Sequence, residues 1–269
     1  MPDLQVAGTL VATQAGDCAV HEFVTGSGDE FPHPRLSSDC RLTGAPVSGR
    51  IAYGVGGFGR VARFRFVDLV QVGLRLPVES GSFETIIWSP DGQRAAWCRG
   101  TREAFELEFL GARRRRLARC PALYLPGGRL AYIQGRRLVT RRTTVYTARR
   151  PIEFAVWPPN GRLFLVLAGG VAVSPPSRRV RIPGWSGIRP VVSPDGCAGL
   201  VQHGAEIVVA APCKRGLERA YAGGAGAWSP DGKWLAIATG DHVDFYDLGH
   251  SETKPAASWD WAAASLLWR

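Results

Sequence analysis

The chain has 269 residues, of which 45% are hydrophobic, and a formal net charge of +10. That apolar share is ample for a buried core, yet no uninterrupted apolar run approaches the ~18 residues a membrane-spanning helix needs. Thirty arginines stand against three lysines (Lys214, Lys233 and Lys254), so the basic character is almost wholly guanidinium.

In chain order, Val6-Ala7-Gly8-Thr9-Leu10-Val11-Ala12 reads as a worn turn followed by an apolar strand, and Val47-Ser48-Gly49-Arg50-Ile51-Ala52-Tyr53 reads the same way. Gly54-Val55-Gly56-Gly57-Phe58-Gly59 matches the GxGxxG dinucleotide pattern. The residues after it, Arg60 to Phe66, alternate with period two, so no helix N-terminus is present to receive a pyrophosphate and the stretch is expected to be a hairpin loop. Thr85-Ile86-Ile87 then leads into Trp88-Ser89-Pro90-Asp91-Gly92, a strand end and a tight turn. Proline presets φ at the first turn position, aspartate bonds its own backbone, and glycine accepts positive φ. Phe105-Glu106-Leu107-Glu108-Phe109 is a short alternating strand.

The turn then recurs. Leu125-Pro126-Gly127-Gly128 and Trp157-Pro158-Pro159-Asn160-Gly161 are worn copies, Ser193-Pro194-Asp195-Gly196 keeps four of the five residues, and Trp228-Ser229-Pro230-Asp231-Gly232 keeps all five. The first prolines fall at 90, 126, 158, 194 and 230, and a period of about 36 residues signals a repeat array. Four short strands fit each period, which is one propeller blade. Taking the turn glycines as Gly8, Gly49, Gly92, Gly128, Gly161, Gly196 and Gly232 gives seven units. The final Ser265-Leu266-Leu267-Trp268 matches the strand before Pro90, and the first unit lacks such a strand. The expected fold is therefore all-β: one domain over residues 1–269, a seven-bladed propeller closed by the C-terminal strand joining the first blade.

Trp-Ser-Pro-Asp-Gly followed by an apolar strand with alanine at its centre resembles the TolB-type, WD-repeat-like propeller repeat. The resemblance rests on three strong copies and two weaker ones between residues 85 and 238. It implies the propeller fold; members of that family serve as protein-interaction platforms, as periplasmic or cell-surface modules, and as lids on serine peptidases. The repeat is a scaffold signature, so function has to be read from sites.

Charge is unevenly spread. Residues 111 to 190 hold 17 arginines, no lysine and a single acid, Glu153, a local net charge of +16. Arg113, Arg114, Arg115 and Arg116 form a run, while Arg136 and Arg137, Arg141 and Arg142, and Arg149 and Arg150 come in pairs. They are the candidate face for an anionic partner: another protein's acidic surface, a phospholipid headgroup or nucleic acid. Solvated outer strands explain them equally well, and adjacent strand residues point to opposite sides, which spreads each pair over two surfaces. Stacking aromatics are sparse between residues 111 and 150 (Tyr124, Tyr132 and Tyr146), which counts against nucleic acid.

Six cysteines carry no CxxC or zinc spacing. Strand bookkeeping puts Cys18 with Cys40 and Cys98 with Cys120 at the end where blades connect, and Cys197 with Cys213 at the opposite end, where a hairpin centred on Ala205 sets them across from each other. Three disulfides are expected, hence an oxidising compartment. The start, Met1-Pro2-Asp3-Leu4, lacks a basic region leading into an apolar run, so a leader or anchor is expected outside this sequence, with a cytoplasmic site as the alternative.

Catalytic signatures are thin. There is no GxSxG elbow, the five histidines are scattered, and only Glu84 and Glu153 stand near the entrances of the innermost strands. The expectation is a non-catalytic, extracytoplasmic binding or sensing module acting as a monomer, without metal or cofactor, its partner another protein or an anionic surface. The alternatives are an accessory propeller of an enzyme and an intracellular scaffold binding nucleic acid.

Overall fold

The computed structural model describes residues 4, 6, 8–33, 42–44, 50–55, 58–64, 69–79, 86–99, 103–110, 113–249 and 255–268. Every regular element among them is a β-strand, and the strands fall into seven four-stranded sheets. The N-terminal sheet contains β1 (Thr9–Gln14), β2 (Val20–Val24) and β3 (Glu30–His33). The second contains β4 (Leu42–Gly44), β5 (Arg50–Val55), β6 (Phe58–Phe64) and β7 (Leu69–Glu79). The third contains β8 (Ile87–Trp88), β9 (Arg94–Arg99), β10 (Glu103–Glu108) and β11 (Arg113–Leu117), and the fourth β12 (Leu123–Tyr124), β13 (Leu130–Gln134), β14 (Arg137–Val139) and β15 (Thr144–Thr147). The fifth holds β16 (Ile152–Val156), β17 (Phe164–Leu167), β18 (Val171–Val173) and β19 (Arg179–Arg181). The sixth holds β20 (Val191–Val192), β21 (Gly199–His203), β22 (Glu206–Ala210) and β23 (Ala220–Ala222). The seventh holds β24 (Ala225–Trp228), β25 (Trp234–Ala238), β26 (Val243–Asp247) and β27 (Ala257–Trp259).

The last strand, β28 (Ala263–Trp268), does not extend the seventh sheet. It pairs antiparallel with β1, setting Leu267 opposite Val11 and Leu266 opposite Ala12, and completes the N-terminal sheet. It lies next to both β24 and β4. Leu266 and Trp268 join Leu10, Ala12, Phe23 and Phe245 in one buried cluster.

Apart from the N-terminal sheet, which takes β28, each sheet is a simple meander, and the fifth shows how the two faces of one sheet meet different neighbours. In the fifth sheet Leu165, Leu167 and Val173 pack with Leu123, Leu125 and Leu138 of the fourth. The intervening Phe164, Val166 and Ala172 pack with Val201 and Ala210 of the sixth. Period-two alternation thus separates two apolar interfaces here, and the strands read as continuous apolar runs.

The repeated turn is held by a small polar network. Ser89, Ser193 and Ser229 are fully buried. Their hydroxyls donate to Oδ1 of Asp91, Asp195 and Asp231 at 2.5–2.6 Å. The same hydroxyls accept from the backbone N–H of Arg94, Ala198 and Trp234 at 2.8–3.0 Å. Each aspartate oxygen accepts in turn from the N–H two residues on, at 3.0 Å. Gly92, Gly196 and Gly232 sit at φ 62°, 71° and 69°, where any other residue is strained. Gly161, in the worn turn, is kept for another reason. A Cβ there would lie 2.5 Å from the Pro194 carbonyl oxygen of the next sheet's turn, so the two turns touch backbone to backbone.

The described residues of the GxGxxG stretch belong to the strands β5 and β6, with Gly54 opposite Gly59 and Val55 opposite Phe58.

Candidate functional site

All ten candidate arginines are exposed, but the strand order distributes them over three places. The run Arg113–Arg116 occupies β11, the outermost strand of the third sheet. Register puts Arg115 opposite Glu106 and Arg113 opposite Glu108, on the side facing the fourth sheet, while Arg114 and Arg116 take the other side. The pairs at 136–137 and 149–150 converge at the end where the chain passes between sheets. There Arg137 stands opposite Thr147, and the Ala148 N–H donates to the Arg136 carbonyl at 2.8 Å. Arg141 and Arg142 lie at the opposite end, in the β14–β15 turn, where the Thr140 N–H donates to the Thr143 carbonyl at 2.8 Å.

The run is less uniform than its sequence. Arg115 hydrogen-bonds and ion-pairs with Glu106, a carboxylate only 4% exposed. Arg94 lies 3.7 Å from the same carboxylate, and the Tyr124 hydroxyl of the fourth sheet donates to it at 2.8 Å. Burial, then the adjacent Glu106 charge, holds the Tyr124 phenol well above its ordinary range, and the Glu106 hydrogen bond raises Arg115. Arg116 pairs with Glu103 at 3.4 Å, and the Arg114 guanidinium lies 4.2 Å over the Phe105 ring. Arg94, Glu106, Glu108 and Arg113–Arg115 line an open recess of about 610 Å³ with charges of both signs.

Elsewhere in the sector the arginines find little compensation. Glu153, its single acid, accepts from the Trp185 indole N–H at 2.6 Å. Arg178 pairs with Glu218 and donates to the Ala211 carbonyl at 3.3 Å, tying the fifth sheet to the sixth. Neither Glu106 nor Arg178 was singled out by the sequence. In the alternation Phe105-Glu106-Leu107-Glu108-Phe109 the two glutamates look equivalent, but Glu106 is buried against the fourth sheet while Glu108 is exposed. Glu84 lies outside the described residues.

Cys98 and Cys120 form a disulfide with Cα atoms 5.6 Å apart, joining β9 to the connection into the fourth sheet. Cys197 and Cys213 form another, with Cα atoms 5.0 Å apart. Their hairpin is centred between Gly204 and Ala205, half a residue from the expected centre, which shifts the pairing by one, since His203 faces Glu206 and Gly199 faces Ala210. Cys213 therefore approaches Cys197 just past the ladder, where its N–H donates to the Cys197 carbonyl at 3.4 Å. Cys18 is disulfide-bonded as well, while Cys40 lies outside the described residues.

His242 sits in the β25–β26 turn, with Nδ1 2.5 Å from Asp241 and Nε2 3.5 Å from Asp244. The Asp241 contact raises the His242 pKa above its ordinary value. Asp244 is buried and accepts from the Ser258 hydroxyl, so this constellation braces the seventh sheet.

Sheet meander, alternating interfaces and repeated inner turn define a β-propeller. The chain matches no protein-family model and no curated protein. Among solved structures it is similar to the β-propeller domain of Cps50 (Swd1) from Myceliophteria thermophila, at 13% identity and a TM-score of 0.56, over 87% of this chain and 91% of that one. It is also similar to apo AztD from Citrobacter koseri, at 12% identity and a TM-score of 0.52, over 96% of this chain and 83% of that one. A second structure of Citrobacter koseri AztD gives 12% identity and a TM-score of 0.51. At such identities the likeness speaks for the fold.

Proposed function

We propose that the chain is a non-catalytic binding module: a single-domain, seven-bladed TolB-type propeller, closed by β28, that works as a monomer in an oxidising, extracytoplasmic compartment and presents its arginine-rich blades to the acidic surface of another protein. The carrying observation is that the sector holds 17 arginines and one acid, that this acid, Glu153, is taken by a neutral indole, and that glutamates from outside the sector are seen to pair with three of the arginines, Arg115, Arg116 and Arg178. Charge left uncompensated on exposed strands is available to a partner. The two disulfides support the compartment. The polar groups best suited to chemistry are engaged in architecture, since the three motif serines are buried and donate to their aspartates.

The test is retention on heparin, on a polyglutamate-coated matrix, on acidic vesicles and on duplex DNA, each at low and physiological salt. The expected result is preferential, salt-sensitive retention on polyglutamate, since exposed charges are screened over about 8 Å at physiological ionic strength. Replacing Arg113, Arg136, Arg137 and Arg149 with serine should weaken it and leave the melting temperature nearly unchanged. Arg115 is spared because its loss would unpair buried Glu106. Preference for DNA would favour an intracellular scaffold, and no retention at low salt would sink the reading.

A further inference from the structure

A second, smaller recess of about 240 Å³ lies on the fifth sheet, lined by Arg150, Leu167, Val171, Arg179 and Arg181. Its construction follows from register. Ile152 stands opposite Leu167, Leu167 opposite Val171, and Val171 opposite Arg181, so four strands contribute one transverse row. Arg179 is two residues from Arg181 on β19 and therefore leaves the sheet on the same side. Arg150 arrives from the connection two residues before Ile152, and its Nη1 lies 3.7 Å from where a Cβ on Gly169 would stand, at the β17–β18 turn. Leu167 is buried and Val171 half-buried, so the floor is apolar while three guanidinium groups stand around it.

No carboxylate among the described residues forms an ion pair with any of the three. The contrast with the larger recess is sharp, because there Glu106 and Glu108 share the space with the arginines. Three like charges around one small apolar floor repel one another and gain nothing from the fold itself. They are complementary to a compact oxyanion carrying about two negative charges, which forked guanidinium groups hold by paired N–H···O bonds. A phosphate monoester carries about −1.5 to −2 at neutral pH, whereas a single carboxylate carries only about −1.

We propose that this recess is a binding site for a phosphate monoester whose organic substituent is apolar, the phosphate gripped by Arg150, Arg179 and Arg181 and the substituent laid on Leu167 and Val171. The site rests on the reading of the arginine-rich blades as an anion-binding face and goes beyond it, because the group recognised here is a phosphate rather than the carboxylates of a protein surface. Such a group is presented both by small phosphate esters and by the headgroup of a phosphatidic acid-type lipid.

The experiment is calorimetric titration of the whole chain at low ionic strength with phenyl phosphate, inorganic phosphate and benzoate. Cosedimentation with phosphatidylcholine vesicles, with and without phosphatidic acid, runs alongside it. Phenyl phosphate should bind more tightly than inorganic phosphate, because only it uses the apolar floor, and more tightly than benzoate, because only it carries the second charge. The R179S/R181S variant should weaken phenyl phosphate by about tenfold or more for each guanidinium removed. Val171→Asp should abolish the advantage over inorganic phosphate. Cosedimentation that requires phosphatidic acid and is lost in R179S/R181S identifies a lipid source; phenyl phosphate binding without cosedimentation identifies a soluble ester. Absence of phenyl phosphate binding, or equal binding by wild type and R179S/R181S, overturns the proposal. Polyglutamate retention that persists in R179S/R181S leaves the broader reading standing even then, whereas its absence alongside intact phenyl phosphate binding refutes the broader reading alone.

Discussion

Ser229 shows how much of this fold turns on single polar atoms. Its buried hydroxyl donates to Asp231 and accepts from the Trp234 N–H, so alanine leaves both groups short of a partner. Ser229→Ala should cost about 1–3 kcal/mol, read as a lower urea midpoint at unchanged slope. The aspartates make the same network pH-sensitive. For Asp91 and Asp231 burial opposes ionisation, but the serine hydroxyl and the backbone N–H groups outweigh it and hold the carboxyls below 3.8. Asp195 is held below 3.8 in the same way, with Lys214 at 2.8 Å as the leading favourable contact. A depressed folded pKa contributes stability that is present above the unfolded value and lost as pH falls through the folded one. Thermal stability should thus decline below about pH 4, and Ser229→Ala should blunt part of that decline. His242 acts in the opposite sense: its pKa is raised above 6.5, so its contribution is complete below that value and fades as pH climbs through the folded pKa. His242→Gln should flatten the alkaline side of the melting curve.

At the scale of the element, strand edges and their covalent ties decide stability. The Cys98–Cys120 disulfide spans a sequence separation of 22 and fastens β9 to the crossing into the next sheet. Replacing both cysteines by serine should cost about 3 kcal/mol on chain-entropy grounds, read from denaturant melts without reductant. Glu106 tests the interface one strand further out. Glu106→Ala leaves the buried Tyr124 hydroxyl without its acceptor while Arg94 and Arg115 stay within reach of water, and should cost about 1–3 kcal/mol.

Much of this was legible in the sequence. Proline and glycine spacing located the turns, because φ preferences are local and print themselves on residue type. The Cys98–Cys120 and Cys197–Cys213 pairs followed from counting strands between turns. What escaped were the partners that only adjacency of sheets creates. Glu106 meets Tyr124 across 18 positions, and the Trp228 indole N–H donates to the Val191 carbonyl across 37, at 2.9 Å. The arginines were countable but not their grouping, since Arg150, Arg179 and Arg181 converge through register rather than sequence. The pairing at the Gly204 hairpin was displaced by one residue, because a two-residue turn and a three-residue turn look alike until the ladder is seen.

For the whole molecule, the decisive contact joins its two ends. Trp268 stands edge-on to Phe245 with ring centroids 5.9 Å apart, and is 6% exposed. Trp268→Ala should cost about 3–5 kcal/mol, and removal of 263–269 should bring down the melting temperature of the entire chain. A truncated chain that melts like the parent would deny β28 this role.

The pairing of Leu10 with Trp268 also has a history in time. A ribosome adds about 5–20 residues per second, so β1 waits on the order of tens of seconds for the strand that will cover its edge. Throughout that interval the first sheet presents an open seam of backbone donors and acceptors, and any matching strand fits, including β28 from a neighbouring nascent chain. Crowded refolding should accordingly yield reciprocally latched pairs of chains, each lending its final strand to the other. Rapid dilution from denaturant at low protein concentration should suppress them, and size-exclusion chromatography across a concentration series would reveal whether the latch closes at home or abroad.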